Sequence, residues 1–238
     1  MAGSDVPSPL RLAHVPGVSP GKWVRTWRER QPEVELVLLQ VAAAEAEALV
    51  RERGADAVLL RLPIDRTGLS AIPLYTETTV VVFPKDHHLA AADADAELAV
   101  EDIADDVVLH PRDDVLDWDG PPGRPAVERP ATTGDAVALV AAGVGLLVVP
   151  QSLARLHHRR DLTYRAVAGV PASQVALSWL AEETTDDIET FVGIVRGRTV
   201  NSSRGRQAPD RAVKVVRARP NADQRRGGRR ANTRRRRG

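Results

Sequence analysis

The side chains in this sequence that could do chemistry are quickly narrowed. His87-His88 and His157-His158 invite a metal reading. Neighbouring residues point apart on helices and strands alike, and no HExxH or Cys/His spacing accompanies either pair, so no metal site is expected. Asp113, Asp114, Asp117, Asp119 and Gly120 resemble part of a calcium loop, but they lack its regular alternation and terminal glutamate and read as a solvated acidic loop. Asp105-Asp106 and Asp186-Asp187 read as exposed charge or helix-start acid. There is no GxSxG, Walker lysine motif or GxGxxG, and Gly143-Val144-Gly145 ends a helix before a strand, the reverse of a dinucleotide fingerprint. The three lysines, Lys22, Lys85 and Lys214, sit in no recognisable motif, and there is no cysteine. Neither catalytic residues nor a cofactor are expected, so the chain reads as a non-enzyme. What remains is hydroxyls at helix starts (Ser19, Thr132, Thr133), one arginine at a strand end (Arg61), and a C-terminal crowd of arginines.

The elements that must position these groups alternate early. Leu10 to Val15 predicts a strand, and Ser19-Pro20 predicts a helix start with a serine cap and proline at the first helical position. That helix places Trp23, Val24 and Trp27 on one face and stops at Gln31-Pro32. Val34 to Val41 predicts a strand, Ala42 to Arg53 a helix ended by Gly54, and Ala57 to Leu62 a buried strand. This β-α-β-α-β order predicts a parallel sheet with helices on its faces. Ile72 to Tyr75 and Thr78 to Phe83 add strands. Further on, Leu98 to Ile103 reads as a helical turn and Val107 to Leu109 as a strand. The proline-rich stretch 112–129 reads as loop. Thr132 or Thr133 caps a helix through Ala142, and Leu146 to Val149 forms a strand. A short helix at Gln151 to His157, strands near Leu162 to Val167 and Val175 to Ala181, and a closing helix at Thr185 to Arg196 complete the pattern.

With 43% hydrophobic residues but only 3% aromatics, the core must be aliphatic. The absence of cysteine removes disulfides and thiolate chemistry and suits a reducing compartment. The start lacks a secretory pattern and no apolar run approaches the ~20 residues of a membrane span, so a cytoplasmic protein with no membrane contact is expected. The net charge of +1 hides a division: residues 201–238 hold thirteen Arg and one Lys against two Asp, leaving 19 basic and 30 acidic side chains in the first 200 residues. An acidic body therefore carries a basic tail. Residues 199–238 have no periodicity and heavy like charge, and are expected to be a disordered Arg-rich tail. Arg225, Arg226, Arg229, Arg230, Arg234, Arg235, Arg236 and Arg237 could bind nucleic acid with little sequence preference. The alternative is a solvated extension or one that folds back on the acidic body.

Five segments in order carry a resemblance. Leu10 to Val15 with its loop and Ser19 comes first, then the stretch from Trp27 through Pro32 to Leu36. Gly54-Ala55-Asp56-Ala57-Val58 is third. Pro73-Leu74-Tyr75 through Pro84-Lys85-Asp86-His87-His88-Leu89 is fourth, and Val140-Ala141-Ala142-Gly143-Val144-Gly145-Leu146-Leu147-Val148-Val149-Pro150 is last. Together they resemble the effector-binding (substrate-binding) domain of LysR-type transcriptional regulators, which has the two-lobed type 2 periplasmic-binding-protein fold. The match is spread over roughly residues 9–198. Only nine residues precede the first strand, so the family's winged helix-turn-helix is expected to be absent. The prolines between 111 and 130 replace a long helix that the family usually carries.

The resemblance implies an α/β fold of two lobes with mixed, mainly parallel sheets. Lobe I is expected at residues 9–84 and 182–198, and lobe II at 85–181. A small-molecule effector would sit between them. Helix starts favour anions through unpaired N–H groups and the aligned dipole, and ligands bind beyond the carboxyl ends of parallel strands. These arguments point to a carboxylate or other small anion held by Ser19, Arg61, Thr132 and Thr133, with Val149 and Pro150 on the floor. The opposing readings are plain caps for the hydroxyls and, for Arg61, a structural salt bridge with Asp56 or Asp65. Transcriptional regulation follows from the family. Members pair side by side, so a homodimer or a related regulator is an expected partner, with the Trp23/Trp27 helix as the candidate surface and core packing as its rival. The other functions weighed are an extracytoplasmic solute-binding protein, an enzyme on this fold, and a scaffold whose tail is the active element.

Overall fold

The computed structural model describes residues 8–197; the Arg-rich tail lies outside them. The first sheet has the order β2-β1-β3-β11-β4. Its strands β1 (Leu10–His14), β2 (Leu36–Gln40) and β3 (Ala57–Leu62) run parallel. Helices α1 (Gly21–Arg30) and α2 (Ala46–Arg51) lie between them in the chain, so the predicted β-α-β-α-β unit is present. The strand β11 (Ser173–Leu180) runs antiparallel between β3 and β4 (Leu69–Glu77). The second sheet, β6-β10-β5-β9-β7-β8, is built from β5 (Thr79–Pro84), β6 (Glu97–Ala99), β7 (Val107–Leu109), β8 (Arg124–Pro125), β9 (Leu146–Pro150) and β10 (Leu162–Ala168). Helices α3 (Thr133–Ala141) and α4 (Gln151–Leu156) accompany it, while α5 (Asp186–Val195) packs against the first lobe.

The second sheet is apolar on both faces, and the alternation of its central strands shows why. Val80 and Val82 of β5, with Leu147 and Val149 of β9, face the core shared with α3 and α4. Val81 and Phe83, with Leu146 and Val148, face a second core holding Ile103 and Leu116. A strand buried on both sides reads as one continuous apolar run, as Val80 to Phe83 and Leu146 to Val149 do.

Sheet membership moves the expected lobe boundaries. The β5 strand, assigned from sequence to the first lobe, hydrogen-bonds within the second sheet, and β11, assigned to the second lobe, pairs in the first. The chain crosses between lobes twice, at Thr78 and between β10 and β11. A valine-rich run carries no local mark of which sheet it will join.

Two further expectations change. Helix α1 starts at Gly21 with Pro20, not Ser19, in the cap position and without a side-chain cap bond. Trp23 and Trp27 are buried, so they supply no docking surface. Trp27 is fully enclosed, its ring 5.9 Å from that of Phe191 and its indole N–H donating to the Val34 carbonyl at 3.0 Å. The stretch 112–129 forms no helix. It is held instead by Asp114, which accepts from the Leu116 amide and the Trp118 indole, and by Arg129, which donates to the His110 and Pro111 carbonyls.

Candidate ligand-binding cleft

Between the lobes lies a cleft of about 640 Å³, within the range of small-molecule sites. The first lobe contributes Pro16, the Ala42–Ala44 loop and Arg61 through Pro63; the second contributes Arg112 through Val115, Thr132 through Gly134, and Leu153, Leu156 and His157 from around α4. Arg61, Thr132 and Thr133 are thus brought to one gap. Ser19 is exposed and is not among the lining residues, because the first-lobe wall is made by the loops after β1 and β2, not by the start of α1. Val149 is also outside the lining. It sits 1% exposed in the second-lobe core, paired across the sheet with Val80.

Arg61 lines the cleft with its charge already satisfied. Its Nε donates to Glu77 Oε2 at 2.8 Å, and both side chains are almost fully buried. One terminal nitrogen donates to the Pro16 carbonyl at 3.0 Å and the other to the Ser152 hydroxyl of α4 at 3.1 Å. Ser173, at the start of β11, donates to the same Glu77 oxygen at 2.8 Å. Asp56 and Asp65, the carboxylates near Arg61 in sequence, pair instead with Arg11 and Arg51. Burial alone would raise the Glu77 carboxyl; the hydrogen bonds and charge of Arg61, with the hydroxyls of Ser152 and Ser173, outweigh it and hold the group below its ordinary value. This cluster joins β3, both interlobe crossings and α4. Gly17, at φ +82°, makes room for it: a Cβ there would come within 2.7 Å of the Ser152 hydroxyl.

The opposite wall is the start of α3. Thr132 and Asp135 form a reciprocal cap, the Thr132 hydroxyl oxygen accepting from the Asp135 amide at 3.1 Å and the Asp135 carboxylate accepting from the Thr132 amide at 3.2 Å. Thr133 is buried and donates its hydroxyl to Asp113 at 2.9 Å. Both hydroxyls therefore have internal partners, whereas the amides of Thr133 and Gly134, at the first positions of the helix, have no acceptor within it. Gly134 lets the His157 ring lie close, since a Cβ would stand 3.3 Å from its Cε1. The Arg112 side chain is exposed and has no ion-pair or hydrogen-bond partner among the described residues. Arg112 and His157 were missed in the sequence reading. The rule that selected Arg61, a charge at the carboxyl end of a strand, extends to Arg112, which follows the end of β7.

Two α/β lobes joined by paired crossings around a ligand-sized gap give the chain the type 2 periplasmic-binding-protein fold. The chain belongs to the LysR substrate binding domain family, which it matches over residues 7–199. It is 30% identical over 216 residues to a probable hydrogen peroxide-inducible genes activator from Mycobacterium avium, covering 84% of this chain and 69% of that protein. It is 24% identical over 174 residues to the HTH-type transcriptional regulator AlsR of Bacillus subtilis, covering 69% of this chain and 55% of AlsR. The chain thus spans only part of these relatives' length. Among solved structures, the BenM effector binding domain with its effector benzoate superposes with a TM-score of 0.68 at 18% identity, over 81% of this chain and 92% of that one. The oxidized form of OxyR gives 0.65 at 19% identity, over 80% and 95%.

Proposed function

We propose that this domain is a non-catalytic sensor that binds a small organic anion between its lobes and serves transcriptional regulation in the cytoplasm. The observation that carries this reading is the second-lobe wall. The free amides of Thr133 and Gly134, the positive end of α3 and the unpaired Arg112 converge on a gap whose other surfaces, Ala42–Ala44, Leu153 and Leu156, are small or apolar. An anionic group would be held at the helix start, and the apolar body of the guest would rest against the alanines and leucines. Arg61 is assigned to shaping the cleft, since Glu77 already neutralises it. Relatives named as peroxide-inducible activators suggest a rival stimulus, yet this chain has no cysteine and so no thiol for peroxide to oxidise.

Calorimetry with a panel of small aromatic and aliphatic carboxylates, beginning with benzoate, tests the reading. At least one acid binds the wild-type chain, and Arg112→Ala weakens it by roughly ten- to a hundredfold, the equivalent of one charge-assisted hydrogen bond. Failure of every acid, or equal affinity in the variant, overturns it. The tail adds a nucleic-acid contact on this reading, because thirteen arginines in residues 201–238 release counterions from a polyanion. Gel shifts at two salt concentrations, with and without residues 201–238, check this; equal binding by both chains refutes it.

A further inference from the structure

Away from the cleft, adjacent histidines do not diverge as they would inside a helix or strand. His87 is extended (φ −67°, ψ 148°) and caps the tight turn His88–Ala91. That change of backbone conformation between the two residues leaves their rings on the same side, with centroids 4.3 Å apart and planes 37° apart. Asp106, just before β7, meets them from another segment: its Oδ1 lies 3.5 Å from His87 Nε2. One donor atom from each of the three lies within 4.8 Å of the other two, and no other such group of three occurs among the described residues.

We propose that His87, His88 and Asp106 bind a divalent transition-metal ion of the zinc class. Two imidazoles and a carboxylate are donors that such ions accept, leaving a fourth position for water. The 3.5 Å between His87 and Asp106 is long for a hydrogen bond, whose usual length is about 2.9 Å. It is close to the roughly 3.4 Å that separates two ligands bound at about 2.1 Å to a tetrahedral centre. His88 is exposed, so its ring is free to rotate and close the remaining distance. Ligation through His87 Nε2 moves that ring's proton to Nδ1 and gives up the Leu89 amide contact, which at 3.4 Å is a weak one. The bound ion would clasp the turn after β5 to the start of β7 and so tie two separate segments of the second lobe. This reading is independent of the cleft and of what binds there.

The test uses the full chain, stripped with chelator and then titrated with Zn²⁺ or Ni²⁺ by calorimetry, with thermal unfolding alongside. One saturable site is expected, with a rise in unfolding temperature as the ion fills it. His88→Ala and Asp106→Asn, neither of which removes a buried side chain, each lower affinity by about tenfold or more, a loss on the scale that metal sites show. His158→Ala, outside the group, leaves binding unchanged. Absence of saturable binding below roughly 100 µM, wild-type affinity in both site variants, or loss of the site in His158→Ala overturns the proposal.

Discussion

Two arginines face the same gap and do opposite work. Arg61, on the first lobe, is buried and bonded to a carboxylate, a carbonyl and a hydroxyl drawn from three other parts of the fold. Arg112, on the second, is exposed, and its side chain has no partner among the described residues. Equal formal charge therefore gives unequal chemistry. A guanidinium whose hydrogen bonds are filled from within fixes geometry and offers an incoming anion little, whereas an unfilled one is available to a guest. On the function proposed above, the second-lobe wall is the surface that meets the guest, and the Arg61 cluster on the first-lobe wall is where the lobes are fastened.

The largest expected effect attacks that fastening. Glu77→Gln leaves Arg61 buried without its counter-charge and should cost about 3–5 kcal/mol of stability, read as a lower urea midpoint. Replacing both partners, Arg61→Met with Glu77→Leu, should cost far less, because the apolar pair leaves no stranded charge. A Glu77→Gln loss below about 1 kcal/mol, the range of an exposed pair, would erase the contrast between the arginines. The same pair sets an acid limit. Because the folded Glu77 carboxyl lies below its ordinary value of 4.5, its contribution is complete above that pH and drains away as pH falls toward the lowered folded value. Glu77→Gln should therefore flatten the acid side of the stability profile, which unfolding curves between neutral and strongly acid pH would reveal.

Arg112→Ala comes next and sharpens the comparison from the other side. It should leave stability within about 0.5 kcal/mol, as for an exposed side chain without partners, while weakening anion binding as described above. A variant that unfolds earlier than wild type would place Arg112 in the framework beside Arg61. The smallest effect is at the cap: Thr132→Ala should cost about 1 kcal/mol by leaving the start of α3 without its side-chain acceptor, and thermal unfolding measures it.

Local pattern makes much of the frame legible in the sequence. The β3 strand runs over the predicted residues 57–62, and α3 opens at the predicted Thr132/Thr133 boundary, because burial periodicity and cap chemistry act over a few residues. The predicted Ala42 to Arg53 helix is a tight turn at Ala43–Glu45 followed by the short α2. What was illegible depends on distant partners. Nothing near Arg61 announces Glu77, since Asp56 and Asp65 were equally plausible and closer. Nothing in the valines of β5 names their sheet. Ser19 has the composition of a cap, yet the helix begins one residue later with Pro20 in that place. Of the nominated site residues, Arg61, Thr132 and Thr133 do share a gap; Ser19 and Val149 do not line it.

Where the chain passes between lobes, Thr79 donates its hydroxyl to the Pro171 carbonyl at 2.6 Å, so the outgoing and returning strands are stapled side by side. A body joined by one thread can swivel; a body joined by two stapled threads keeps mainly a single bending axis. Closure on different guests would then follow one track, and the outer edges of the domain would report how far the cleft has shut and not what shut it.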